Sequence, residues 1–221
     1  MQNKNTKSIR LISGIAVFSA LAYVVAAVCQ VIPQVAGFLT LDMKDAVISM
    51  ASLIYGPVAG PIIALIAALL EFATFSSTGW YGLIMNFVSS AVFSLVASLI
   101  YKLLKSFEGA LLAFLLAIMT TTGAMLLMNI FVTPLYMKYM LGIPNPDVIS
   151  MLPTVLLPFN FAKTFLNASL ALMLYKPLIS ALRSARLVPA GSHKAGKGNL
   201  LLTVIIGIIS MLIAISVVIF I

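Results

Sequence analysis

The chain has 221 residues, 62% of them hydrophobic and 8% charged, with a formal net charge of +8. That leaves far too little polar surface to coat a soluble globule, so a soluble domain is excluded and an integral membrane protein is indicated. In such a chain the placement of Lys and Arg carries more information than their sum, and the positive balance is not read as a nucleic-acid footprint.

Lys4, Lys7 and Arg10 lead into a first apolar run over residues 9–32. Basic residues, an apolar run and then Cys29 also describe a lipoprotein signal. Val28 is a poor fit to the small residue that such cleavage wants, however, and apolar segments continue to the C-terminus, so an uncleaved first helix is expected. Cys29, the single cysteine, cannot form an intrachain disulfide and reads as an inert buried thiol. Within SGIAVFSALA, Ala16 and Ala20 stand four apart, a small-xxx-small spacing that permits close helix approach.

Further apolar segments cover 46–55, 58–75, 80–101, 109–137, 152–182 and 199–221. The decisive break is YGPVAGP, residues 55–61. One kinked helix over 46–75 would put Lys102, Lys105 and the basic groups after the sixth segment opposite the N-terminus. A turn at Gly56-Pro57 instead gathers ten of the thirteen basic residues on one face. Seven membrane segments follow, with the N-terminus cytoplasmic and the C-terminus outside. The second is short: it borrows from Leu41–Lys44, tilts, or forms half of a re-entrant hairpin. Residues 183–199, RSARLVPAGSHKAGKGN, read as a basic cytoplasmic linker to the last helix. The expected class is all-α, a polytopic membrane helix bundle.

No enzyme is expected. The only histidine, His193, lies in the linker, and neither HExxH nor GxSxG occurs. No internal repeat of the kind found in inverted-topology carriers is evident. What remains is mostly uncharged polarity: Asn86, Asn129, Asn160 and Asn167, with Lys163 as the one cation well inside an apolar segment. Any single asparagine could serve an interhelical hydrogen bond, and the lysine could snorkel to the outer headgroups. Asn160, Lys163 and Asn167, however, are spaced three and four apart, which puts them in one stripe on a helix. Such a stripe suits a planar, weakly charged heteroaromatic ligand with carbonyls and a polyol tail. Phe38, Leu41, Met43, Trp80, Tyr81, Phe159 and Phe161 lie in outer-half positions from which they could sandwich a ring, or could form an ordinary interfacial belt.

The A-x-x-x-A of Ala16 and Ala20, the loop FLTLDMKDAVI, the turn YGPVAG, the segment STGWYGLIMNFVSS and NFAK in the sixth span together resemble the substrate-binding S components of energy-coupling factor (ECF) vitamin transporters. The likeness covers roughly residues 9–183 and is closest to the riboflavin-specific members. It implies a six-helix substrate-binding domain over 1–183 with an outward-opening pocket capped by the loop between the first two helices. The linker 184–198 and the span 199–221 then add a C-terminal helix beyond the usual six. The resemblance further implies that Asn160 and Lys163 hydrogen-bond the flavin, that Asn129 faces them, and that Leu41 and Met43 contribute from the loop. Asn86, Trp80 and Phe38 complete the candidate site. Ala16 and Ala20 would dock on a transmembrane coupling subunit served by two ATPase subunits, since no GxxxxGKS/T occurs here. No cofactor is expected; riboflavin, or its phosphate, would be the ligand. Three other readings stay open: another vitamin such as pantothenate or thiamine (a cation that would sit badly beside Lys163), a self-sufficient secondary carrier, or an assembly subunit with no ligand.

Overall fold

The computed structural model describes residues 4–184, together with positions 205, 207–209, 212, 213 and 216. The chain runs through α1 (Lys4–Cys29), α2 (Lys44–Tyr55), α3 (Ala59–Thr74), α4 (Gly79–Leu104), α5 (Phe107–Tyr139), the single turn α6 (Val148–Met151), a π-helical turn (Leu152–Leu156) and α7 (Leu157–Ser184). No strand occurs among the described residues. Four stretches (Ser8–Cys29, Gly79–Leu104, Glu108–Tyr139 and Val148–Leu174) are long and apolar enough to cross a membrane, and Ala59–Thr74 is a shorter apolar helix. The chain is a multi-pass membrane protein, as its composition requires.

The break after Tyr55 is real. Gly56 sits at φ +105°, a value that residues with a Cβ rarely adopt, and Pro57 follows it, so α2 and α3 are two helices rather than one kinked helix. At about 1.5 Å per residue, the 12 residues of α2 span about 18 Å, too short for a hydrocarbon core of roughly 30 Å. Its shortness is explained by its place. Residues 44–53 are all buried, and α1, α3, α4 and α7 surround them.

Close approach of α2, α3 and α4 depends on small side chains. A Cβ on Gly60 would lie 2.5 Å from Ser94 Oγ and 2.8 Å from Ser52 Oγ, so only glycine fits there. Ser52 donates to Ser98 Oγ at 2.8 Å, and Ser94 and Ser98 return their hydroxyls to the carbonyls one turn back in α4. Ser90 Oγ donates to the Asp45 carboxylate. Alanines on all sides (Ala22, Ala51, Ala67, Ala97, Ala113, Ala117) fill the rest of the core around Phe93 and Phe114, whose rings stand 5.9 Å apart. Between α4 and α5, Ser106 caps the new helix by accepting from the Gly109 N–H at 2.9 Å.

The sixth predicted span is longer than its apolar run suggests, starting at Val148 and passing through the π turn. Pro158 has no N–H to give to Thr154, and the Leu157 N–H reaches back five residues to the Leu152 carbonyl. The extra residue shifts the phase of all that follows by ~100°, and with that phase Asn160, Lys163 and Asn167 are all buried.

The described positions of the predicted last span are helical, and Gly207 lies against Met173 of α7. The remainder of 199–221 lies outside the described residues, as does the predicted linker 184–198 apart from Ser184, which ends α7.

Candidate functional site

The loop between α1 and α2 folds back over the bundle. Val35 and Leu39 exchange both backbone hydrogen bonds, at 2.9 and 3.0 Å, and the reversal passes through Ala36 and Gly37 at φ +53° and +79°. This small hairpin sets Phe38, Leu39 and Thr40 against a cavity of about 650 Å³, its open mouth included. The other walls come from Thr78, Tyr81, Met85, Asn86 and Ser89 at the head of α4, from Met125, Asn129, Val132, Thr133 and Tyr136 of α5, and from Phe159, Asn160 and Lys163 of α7. A second, smaller and mostly polar recess adjoins it and shares Thr40, Thr78 and Asn86.

The asparagines are half spent on their own helices. Asn160 Nδ2 donates to the Leu156 carbonyl and Asn129 Nδ2 to the Met125 carbonyl, each at 2.7 Å, while Asn129 Oδ1 accepts from Thr133. Each amide keeps a second N–H and further lone-pair capacity for whatever enters the cavity. Aromatic and thioether groups supply the faces, with Phe38 tilted against Tyr136 at a centroid distance of 5.7 Å and Tyr81 edge-on to the same ring at 6.0 Å.

Lys163 is neither snorkelling nor alone. Its Nζ donates to Asp42 Oδ2 at 2.8 Å, and Lys44 Nζ reaches the same oxygen at 3.4 Å and Glu71 Oε2 at 2.8 Å. Every member of this chain is buried, Lys44 to 1% exposure and Lys163 to 6%. Burial pushes the Asp42 carboxyl toward neutrality, but the two ammonium groups outweigh it and hold its pKa down at about 2. Asn167 completes the arrangement below the cavity. Its Nδ2 donates to the Asp42 carbonyl at 2.8 Å, and its Oδ1 accepts from the Ala46 N–H at 2.8 Å. The Met43 side chain gives α2 no cap, so a residue of α7 caps it instead.

The predicted residues therefore divide. Phe38, Asn86, Asn129, Asn160 and Lys163 line one cavity, with Tyr81 and Phe159 beside them. Leu41 and Met43 do not: Leu41 is buried with Phe159, Ala162 and Leu166, and Met43 packs on that cluster, because the loop turns this part of its length toward α7. Trp80 is 66% exposed and lies tilted against Phe72 at a centroid distance of 4.3 Å, since Tyr81 next to it occupies the inward direction of α4. Phe161 likewise faces out, stacked on Phe165. Ala16 and Ala20 lie on an outward face of α1, while Phe18, Ala22 and Ala26 point into the bundle.

Sequence reasoning missed the ion pairs and, apart from Asn129, the α5 wall of Met125, Val132, Thr133 and Tyr136. A signal for the first was available. Membrane-embedded charges seek partners, and Lys163 had carboxylates to choose from in LDMKD.

A family model described as "ECF transporter, substrate-specific component" matches residues 10–175. The chain is 32% identical over 176 residues to "Riboflavin transporter RibU" of Staphylococcus aureus (strain TCH60), covering 79% of this chain and 92% of that protein. It is 28% identical over 183 residues to "Riboflavin transporter FmnP" of Bacillus subtilis (strain 168), covering 78% and 95% respectively. Among solved structures, one described as "Structure and mechanism of the S component of a bacterial ECF transporter" superposes with a TM-score of 0.65 at 30% identity. That match covers 82% of this chain and 99% of the other.

Proposed function

The chain belongs to the substrate-specific components of ECF transporters, and from that membership we propose that it captures riboflavin outside the membrane for uptake through ECF partner subunits. The observation that carries this reading is the convergence of Asn129, Asn160 and Lys163 on one cavity, in a chain whose relatives include two riboflavin transporters.

Riboflavin joins a flat ring bearing carbonyls and ring nitrogens to an uncharged polyol. The Lys163 ammonium has Asp42 as its counter-ion, so the pair adds no net charge and the remaining ammonium protons can point at ring acceptors. Asn160 and Asn129 supply further donors and acceptors across the same space, while Phe38, Tyr81 and Phe159 with Met85 and Met125 cover the ring faces. Leu41 and Met43 act from behind, setting the loop against α7. A charge-assisted hydrogen bond from Lys163 would be worth about 1.5–3 kcal/mol, roughly 10- to 100-fold in affinity.

In this reading the site faces outward, the N-terminus is cytoplasmic, and ATP hydrolysis belongs to two ATPase partners attached through a membrane coupling subunit. The outward-facing Ala16 and Ala20 form the docking strip for that subunit. The chain works as a transport component, not an enzyme, and riboflavin is cargo, with no resident cofactor.

The test is the visible absorption spectrum of detergent-purified protein before and after riboflavin addition and desalting. A retained flavin band near one per chain supports the reading. A protein colourless after both steps overturns it and turns attention to another vitamin in the same scaffold.

A further inference from the structure

The last apolar run, residues 199–221, begins beyond the stretch that matches the family, which ends at residue 175. Its described positions sort by direction. Gly207 is buried, whereas Ile205, Ile208, Ile209, Leu212 and Ile213 are 43–61% exposed and Ser216 is exposed as well. At about 100° per residue, all six exposed positions point roughly 100° or more away from Gly207, so the helix has one covered side and one open side. The cover comes from α7. The three atoms nearest to a Cβ built on Gly207 all belong to Met173, with Sδ at 3.0 Å and Cβ at 3.2 Å, so the methionine lies against bare backbone. The sequence sets further small residues around Gly207 at helical spacing, Thr203, Ser210 and Ala214, the kind of face that lets two helices approach closely in lipid. The depths agree too. Met173 stands eleven residues before the end of α7 at Ser184, about 16 Å, and Gly207 eight residues into the run that starts at 199, about 12 Å, as two antiparallel neighbours joined at one end require.

We propose that the C-terminal span is an intramolecular brace, docked through its Gly207 face on α7 at Met173 and holding in place the helix that carries Asn160, Lys163 and Asn167. The bundle itself packs α2 and α5 against α7, and the span adds a further neighbour to this ligand-bearing helix. Packing between helices in lipid depends on close fit, because lipid tails are as apolar as the side chains they replace. A glycine at the contact point supplies that fit, and a bulky residue there would push the span off α7. The consequence for ligand retention rests on the flavin reading above; the docking does not.

The test uses the full chain in membranes, with Cys29→Ala removing the native thiol. Met173→Cys combined with Gly207→Cys places two thiols where the Cβ separation of 3.2 Å lies close to the roughly 3.5–4.5 Å of a disulfide. Mild oxidation should therefore join them within one chain, read as loss of maleimide labelling with monomer mobility on a gel. Met173→Cys with Ile209→Cys, on the open side, should keep both thiols. Equal closure of the two pairs, no closure of either, or a dimer-sized band from the first pair overturns the docking. Gly207→Phe should then lower the unfolding midpoint in detergent and speed riboflavin release at least threefold by stopped-flow fluorescence, and adding Met173→Ala, which makes room for the ring, should recover at least half of both effects. A release rate unchanged by Gly207→Phe overturns the bracing role. If wild type binds no riboflavin the flavin reading falls, while the disulfide pair still decides whether the span docks on α7.

Discussion

Asp42→Asn is the most informative single change. The substitution keeps the shape of the side chain and removes the charge that Lys163 at 2.8 Å and Lys44 at 3.4 Å share. The two lysines are left unequally. Lys44 retains Glu71 at 2.8 Å, while Lys163, 6% exposed, loses its one carboxylate partner among the described residues. Removing one partner of a buried pair costs about 3–5 kcal/mol because a charge stays behind without compensation. Lys163→Met should be milder, since Asp42 then keeps Lys44. Combining the two changes should recover part of the loss seen with Asp42→Asn, because the stranded ammonium is gone. Unfolding in detergent, followed by the helical circular dichroism signal, ranks the four proteins: wild type, Lys163→Met, the double variant, and Asp42→Asn least stable. Their coupling energy measures the pair directly. If Asp42→Asn unfolds with wild type, or the double variant is no more stable than Asp42→Asn, the ion-pair argument is wrong.

Asn167→Ala removes the acceptor for the Ala46 N–H and the donor to the Asp42 carbonyl. A loss of about 0.5–2 kcal/mol for the cap alone is expected, together with faster riboflavin release, both readable from unfolding curves and stopped-flow fluorescence. The pH dependence follows from Asp42, whose pKa falls from an ordinary 3.8 to about 2 on folding. The stabilisation it brings is complete above the higher value and drains away as pH falls through the lower one, so unfolding midpoints should carry no Asp42-dependent loss between pH 7 and 4. A loss beginning near pH 6 in wild type and absent in Asp42→Asn would contradict this. Tyr81→Ala should weaken riboflavin binding, whereas Trp80→Ala should leave it within about twofold, because only Tyr81 faces the cavity; titration of both variants checks the pair.

Much of the architecture was legible because it rests on local rules. Gly56 and Pro57 break a helix wherever they stand, and the distribution of Lys and Arg favoured a turn there over a kink. The stripe of Asn160, Lys163 and Asn167 was legible because helical periodicity is a property of sequence. Its division of labour was not. Asn160 and Lys163 reach the cavity, whereas Asn167 turns away to cap α2, a distinction created by a loop 121 to 125 positions distant. The pairing of Lys163 with Asp42 has the same origin, since nothing in either neighbourhood names the other. Trp80 and Tyr81 show a finer limit. Adjacent aromatics at a helix start differ by ~100° in direction, and which one faces inward depends on how α4 sits against α5. Leu41 and Met43 were placed by likeness, and the backward turn of the loop carries them under Phe159 instead.

The cap that Asn167 gives to α2 bears on how the protein is made. Synthesis delivers α2 to the membrane well before α7 exists, and at that stage Lys44 and Asp45 have no Lys163 or Asp42–Asn167 anchor around them. A short segment with two charges and two serines is a poor candidate for stable residence in lipid by itself. Its N-terminal N–H groups, moreover, lack a complete set of partners until α7 arrives. Biogenesis must therefore run out of order: the second helix to leave the ribosome is among the last to be finished, and truncation before α7 should leave a nascent chain that cellular quality control can recognise by its unsealed middle.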